Sequence, residues 1–125
     1  MTTLVTFARA RLDDDEQTAR AAHQPNWVTD GRRGIEYGLD SGWMTDALTT
    51  ADANHIARHD PARVLAEVAA KRRTVERHAQ CGTGVGYCDD AGHGWDWAPG
   101  GGCADLADLA LPYADHPDYR PEWRP

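Results

Sequence analysis

A chain of 125 residues with a net charge of −7, 41% apolar residues, one phenylalanine and five tryptophans has the bulk of a single domain and few large side chains for its core. About 65% of the unfolded surface is buried on folding at this length, so a bound metal would weigh heavily in its stability. The acidic balance repels phosphate backbones, and the arginines are interleaved with acids rather than gathered on one face, which excludes nucleic acid as an expected partner. No run approaches the roughly 20 apolar residues that a bilayer crossing needs. Met1 to Ala22 carries Asp13, Asp14, Asp15 and Glu16 where a signal peptide would be apolar. The expectation is a cytoplasmic chain with no membrane partner. In that compartment thiols stay reduced, so an odd count of three cysteines points to ligands or inert core residues rather than disulfides.

The expected fold is α+β and mainly helical: one domain over residues 1–125 with three to four helices, one small β-hairpin and a glycine-rich loop that a metal would staple. Thr2 or Thr3 can cap a first helix over about residues 3–22, with Leu4, Ala8, Leu12 and Ala19 as a narrow apolar stripe. Arg9 with Asp13, Arg11 with Asp15 and Glu16 with Arg20 stand at i, i+4, each pair contributing about 0.2–0.5 kcal/mol, so the acidic run reads as a solvated helix face.

Pro25 and Asn26 end that helix. A hairpin over about residues 26–40 follows, in which Trp27-Val28-Thr29 and Ile35 to Leu39 flank Asp30-Gly31-Arg32-Arg33-Gly34, and Ile35, Tyr37 and Leu39 share one face. Residues 46–59 are again helical in pattern, with Leu48, Ala51, His55, Ile56 and His59 close to one face. Asp60-Pro61 is an N-cap and N1 pair that opens a helix over about residues 61–79, whose stripe is Val64, Leu65, Val68, Val75 and Ala79. The loop 81–103 holds eight of the twelve glycines. A short helix over about residues 105–111 turns Leu106, Leu109 and Ala110 inward, and a proline-rich tail, 113–125, runs over the surface held by Tyr113, Tyr119 and Trp123.

The chemistry concentrates in His78-x2-Cys81-x6-Cys88-x4-His93-x9-Cys103. His78 and Cys81 are three apart at a helix end, and Cys88 and Cys103 close the loop from the other side, a Cys3His set of the kind that holds structural zinc, with His93 as an alternative nitrogen ligand. Ordering glycine-rich backbone costs about 1–2 kcal/mol per residue, and zinc binding in small peptides supplies about 10–16 kcal/mol. The spacing argues the other way, because a zinc ribbon offers Cys-x2-Cys knuckles and this chain has none. The plain alternative makes Cys81 and Cys103 small buried residues beside helices.

His55 and His59, four apart with Asp60 adjacent, form an alternative metal set, although no glutamate stands where a His-Glu-x-x-His base would. Their plain reading is a partly buried His55 and a His59 that meets the helix C-terminus. Gly82-Thr83-Gly84-Val85-Gly86 follows a helix rather than a strand and lacks a P-loop lysine, so it is a weak phosphate motif. Trp95 and Trp97 either fold inward as a miniature core or present an anchor to a protein partner. No nucleophile elbow or paired carboxylates stand out, so enzyme activity has no positive signal.

In His55-Ile-Ala-Arg-His59-Asp60-Pro61-Ala-Arg-Val-Leu65 with the basic Lys71-Arg72-Arg73, and again in Leu109-Ala-Leu-Pro112-Tyr113-Ala-Asp-His116-Pro117-Asp-Tyr119-Arg-Pro-Glu-Trp123, the chain resembles a family of short actinobacterial proteins of unknown function. Members carry a cysteine-containing segment between the two blocks, often with a Cys-x2-Cys knuckle, and a further cysteine opening the last helix. Cys103 fits that last position, while Cys81 and Cys88 depart from the knuckle. The resemblance implies fold, size and a cytoplasmic setting, and no activity. The functional expectation is therefore a non-enzymatic accessory or protein-interaction domain with a structural zinc site. The alternatives are a small metal-dependent hydrolase using His55, His59 and Asp60, and a metal-free helical domain with a mobile loop.

Overall fold

The computed structural model describes residues 3–38, 42–79 and 103–125. Among them the elements run α1 (Leu4–Ala21), β1 (Trp27–Thr29), β2 (Gly34–Tyr37), β3 (Trp43–Asp46), α2 (Thr50–Arg58), α3 (Pro61–Arg77) and α4 (Ala104–Ala110), followed by short 3-10 helices at Leu111–Tyr113 and Pro121–Trp123. The fold is α+β and mainly helical. Two compact units divide the chain: a terminal unit, Met1–Asp13 with Ala69–Pro125, and a central unit, Asp14–Val68. No helix among the described residues is long and apolar enough to cross a membrane.

The central unit is organised by polar local contacts. Asp30 closes the first turn, its Oδ1 accepting from the N–H groups of Arg32 at 2.7 Å and Gly34 at 3.1 Å, while Gly31 supplies a φ of +84° that a side chain would disfavour. That turn sets the antiparallel register Trp27↔Tyr37, Val28↔Glu36 and Thr29↔Ile35. Where the sequence reading has a hairpin, a third strand follows: β3 pairs with β2 through Gly34↔Asp46, Ile35↔Thr45 and Glu36↔Trp43, with an irregularity between Ile35 and Glu36. Trp43 and Thr45 are strand formers, and the helix waits for a real cap at Thr49, whose hydroxyl accepts from the Asp52 N–H at 3.0 Å.

The inward face of α2 also differs from expectation. Ala53, fully buried, lies on the side that packs against β1 and β2, whereas Leu48 is 83% and Ile56 37% exposed, and His55 and His59 are both exposed. A methyl lets the helix backbone approach the strands closely, and the helix's rotation turns Ala53 rather than the larger Ile56 to them. At the end of α2 the His59 Nδ1 bonds the His55 carbonyl at 2.8 Å. Asp60 then caps α3, accepting from the Arg63 N–H at 2.9 Å through Oδ1 and from the Trp27 N–H at 3.2 Å through Oδ2. The Asp-Pro pair thus starts a helix and ties down β1 with one carboxylate. An apolar-lined cavity of about 290 Å³ lies in this unit between Trp27, Val64 and Ala19, with Asp15 and His59 at its polar edge.

The terminal unit is built on large side chains. Leu4, Phe7, Ala8 and Leu12 of α1 are buried, as are Val75 of α3 and Leu106, Ala107 and Ala110 of α4. Phe7, three residues beyond Leu4, shares the face of Leu4, Ala8 and Leu12 and is only 1% exposed. Its ring stands 5.1 Å from Trp123 and 5.7 Å from both Tyr119 and His116, centroid to centroid, in tilted and edge-on geometries that suit aromatic quadrupoles. The proline-rich tail runs over the surface as expected and is anchored by Trp123, its one buried residue at 2% exposed, with Tyr119 beside it. Pro112 and Pro121, which a longer helix would reject, each sit in a 3-10 turn that tolerates them, and the second turn carries Trp123 inward.

Ion pairs across α1 and α3 replace one of the local pairs that spacing predicts. Arg9 forms a two-pronged bond with Glu76 at 2.8 and 2.9 Å, and Asp13 accepts from Arg72 at 2.6 Å. The hydrogen bond from Arg9 holds the Glu76 carboxyl below its ordinary range and, reciprocally, raises the Arg9 guanidinium. Within the central unit Glu16 does pair with Arg20, at 3.0 Å.

Candidate metal centre

Three residues of the terminal unit converge where α3 ends and α4 begins. His78 follows the last residue of α3, and its N–H still reaches the Thr74 and Val75 carbonyls at 3.1 and 3.2 Å. It stands three residues beyond the buried Val75 and extends the same row, so its ring is carried inward and is 5% exposed. Cys103 occupies the N-cap of α4 in extended backbone, its Sγ accepting from the Leu106 N–H at 3.4 Å. A thiol thus stands where serine, threonine or aspartate is usual, and it is fully buried. Asp105, in the first turn of α4, leaves its side chain 46% exposed.

The imidazole lies between the other two groups. Its Nδ1 is 3.6 Å from Cys103 Sγ and its Nε2 is 3.5 Å from Asp105 Oδ2. One ligand atom from each residue falls within 4.8 Å of the others, the arrangement expected of a group able to hold a metal ion. An imidazole nitrogen and a thiol sulfur are donor types that zinc accepts. A tetrahedral ion with Zn–S of about 2.3 Å and Zn–N of about 2.0–2.1 Å separates its nitrogen and sulfur ligands by about 3.5 Å, which is the spacing seen here between Nδ1 and Sγ.

Of the residues expected from sequence, His78 and Cys103 are brought together across 25 positions of chain. Cys81, Cys88 and His93, and the interaction candidates Trp95 and Trp97, lie outside the described residues. The alternative set, His55, His59 and Asp60, does not form such a group among the described residues. The two rings are 4.4 Å apart, but His59 Nδ1 is engaged by a backbone carbonyl and both Asp60 oxygens accept backbone N–H bonds.

Asp105 is the residue that sequence reasoning missed. Positions two apart do not share a helix face, so Cys103 and Asp105 look unrelated under helical spacing. The N-cap is not helical, however, and from its extended backbone the Cys103 side chain turns back over the first turn of α4, where Asp105 begins. The signal was a cysteine at a cap position followed by an acid in the first turn.

The chain belongs to a family of unknown function, DUF6221, whose model matches residues 1–125. No curated protein and no solved structure matches it. The resemblance expected from the two sequence blocks, to a family of unknown function, is met over the full length, and membership brings no activity with it.

Proposed function

We propose that this chain is a non-enzymatic accessory or protein-interaction domain whose terminal unit is stapled by a structural zinc ion. His78 Nδ1 and Cys103 Sγ supply two ligands, and Cys81, Cys88 or His93 supply the rest. The observation that carries this reading is the buried 3.6 Å approach of Nδ1 to Sγ. The thiol and the imidazole satisfy each other as a buried hydrogen-bonded pair, and their spacing is also the edge of a zinc tetrahedron, so the same two groups stand ready to hold the ion once the thiol gives up its proton. The ion would join the last turn of α3 to the first turn of α4 and so close the long intervening segment, for which small-peptide sites supply about 10–16 kcal/mol. A shell filled by thiolates and imidazole leaves no open position for substrate, which favours structure over catalysis.

Elemental analysis of protein purified without a histidine tag tests the reading. About one zinc per chain is expected in the parent, falling towards zero in Cys103→Ser and His78→Ala. A parent without metal, or full zinc in both variants, contradicts it. The partner half stands on the acidic charge and the paired tryptophans Trp95 and Trp97. It predicts that Trp95→Ala with Trp97→Ala leaves the melting temperature within a few degrees while abolishing recovery of a specific partner from lysate. A parent protein that recovers no specific partner counts against it.

A further inference from the structure

The two contacts of His78 fall on opposite sides of its ring, sulfur at Nδ1 and carboxylate at Nε2. An imidazole gives a metal one nitrogen only, so Cys103 and Asp105 do not meet the same ion through equivalent short edges to His78. The Sγ to Nδ1 distance of 3.6 Å matches a shared ion between them. The Nε2 to Oδ2 distance of 3.5 Å closes to an ordinary hydrogen bond with a shift of about half an ångström. Burial divides the pair in the same way. The thiol is fully enclosed, as a thiolate ligand of a closed site should be, while the carboxylate is 46% exposed.

Resting on the zinc reading above, we infer that Asp105 is a positioning residue and not a ligand. It accepts the Nε2–H of His78, fixes the ring's tautomer and rotation, and so presents Nδ1 to the ion beside Cys103 Sγ. This is the carboxylate–histidine–metal relay, in which the outer carboxylate makes the ligand more basic and holds its plane. The α4 fold serves the relay economically, because one helix start carries both groups: the cap residue provides the sulfur, and the first turn provides the carboxylate that orients the nitrogen from the other side.

Two measurements test the inference. In the zinc-loaded parent, long-range proton–nitrogen correlation of the His78 ring, assigned by its absence in His78→Gln, is expected to find Nε2 protonated and Nδ1 bound to metal. The reverse assignment overturns the inference. Cobalt(II) and zinc(II) titrations of the parent, Asp105→Ala, Asp105→Asn and Cys103→Ser give the second. Asp105→Ala is expected to keep the thiolate-to-cobalt charge-transfer band and the tetrahedral d–d pattern while binding about 10- to 100-fold more weakly. Asp105→Asn, whose amide oxygen accepts the same proton, recovers part of that loss and serves in place of alanine should alanine disturb α4. Cys103→Ser loses charge-transfer intensity. A changed cobalt geometry in Asp105→Ala would make Asp105 a ligand, and unchanged affinity would leave it no role at the site; either result overturns the inference while zinc binding itself stands. A parent that takes up neither ion overturns the zinc reading and this inference together.

Discussion

The terminal and central units are held by different means. Of the largest fully buried side chains, Trp123, Phe7, Leu106, Val75 and Cys103 belong to the terminal unit, and Ile35 alone belongs to the central one. The central unit compensates with directed polar contacts: the Asp30 turn, the Thr49 cap, the Asp60 cap and a backbone bond from the Ala62 N–H to the Pro25 carbonyl at 2.8 Å. It also leaves large apolar surface outside, with Trp43 63% and Leu48 83% exposed. The pairing teaches that a chain poor in large residues concentrates them in one unit, the one that also buries His78 and Cys103. His78 and Cys103 are 5% and 0% exposed in that unit, while hydrogen bonds shape the sheet of the other.

The contrast is broken most directly by truncating one core and trimming the other. Phe7→Ala removes a ring that touches Trp123, Tyr119 and His116, and it should cost about 3–5 kcal/mol in a urea unfolding series. Ile35→Val in the central unit should cost about 0.5–1.5 kcal/mol. A Phe7→Ala loss no larger than that of Ile35→Val would show that the aromatic cluster is not the dominant core.

Next in size is the polar side of the comparison. Asp60→Ala removes the acceptor of two backbone N–H groups, at Arg63 and Trp27. An expected loss of about 1–2 kcal/mol, with early amide exchange at Arg63 and Trp27, follows from the value of N-caps. Retained protection at both amides would mean that the cap does not organise this unit.

The smallest effect concerns the exposed pair of Arg9 and Glu76, whose side chains are 48% and 58% exposed. The folded carboxyl titrates below its ordinary value of 4.5, chiefly through the Arg9 hydrogen bond. A depressed carboxylate contributes stability above its unfolded pKa, and that contribution fades as pH falls through the folded value. Melting temperatures of the parent and Glu76→Gln should therefore differ slightly at neutral pH, converge in acid, and converge likewise at high salt. A difference that persists unchanged at low pH would assign the effect to packing.

Much of the fold was legible because helical periodicity and capping are local. Leu4, Ala8, Leu12 and Ala19 are all buried as their spacing requires, and Asp60-Pro61 opens α3 as its chemistry requires. What escaped depends on distant contacts. Phe7 sits on the buried face of α1, but the rings that cover it come from a tail more than a hundred residues away in sequence. The rotation of α2 puts Ala53 against the strands, a residue that hydrophobicity ranks below the exposed Ile56, and Leu48 falls before the helix begins. At the candidate site, His78 and Cys103 were readable from residue type and from their positions at helix ends. Asp105 was not, because an N-cap geometry departs from the periodicity used to group residues.

The central claim is that a metal ion secures the cluster of His78 and Cys103. Thermal unfolding of the untagged protein before and after a strong chelator, followed by stoichiometric zinc, tests it in one series. The account predicts a melt that collapses on chelation and returns with zinc. A melting temperature unmoved by the chelator, in protein containing no zinc, would contradict it and leave His78 and Cys103 as ordinary core residues.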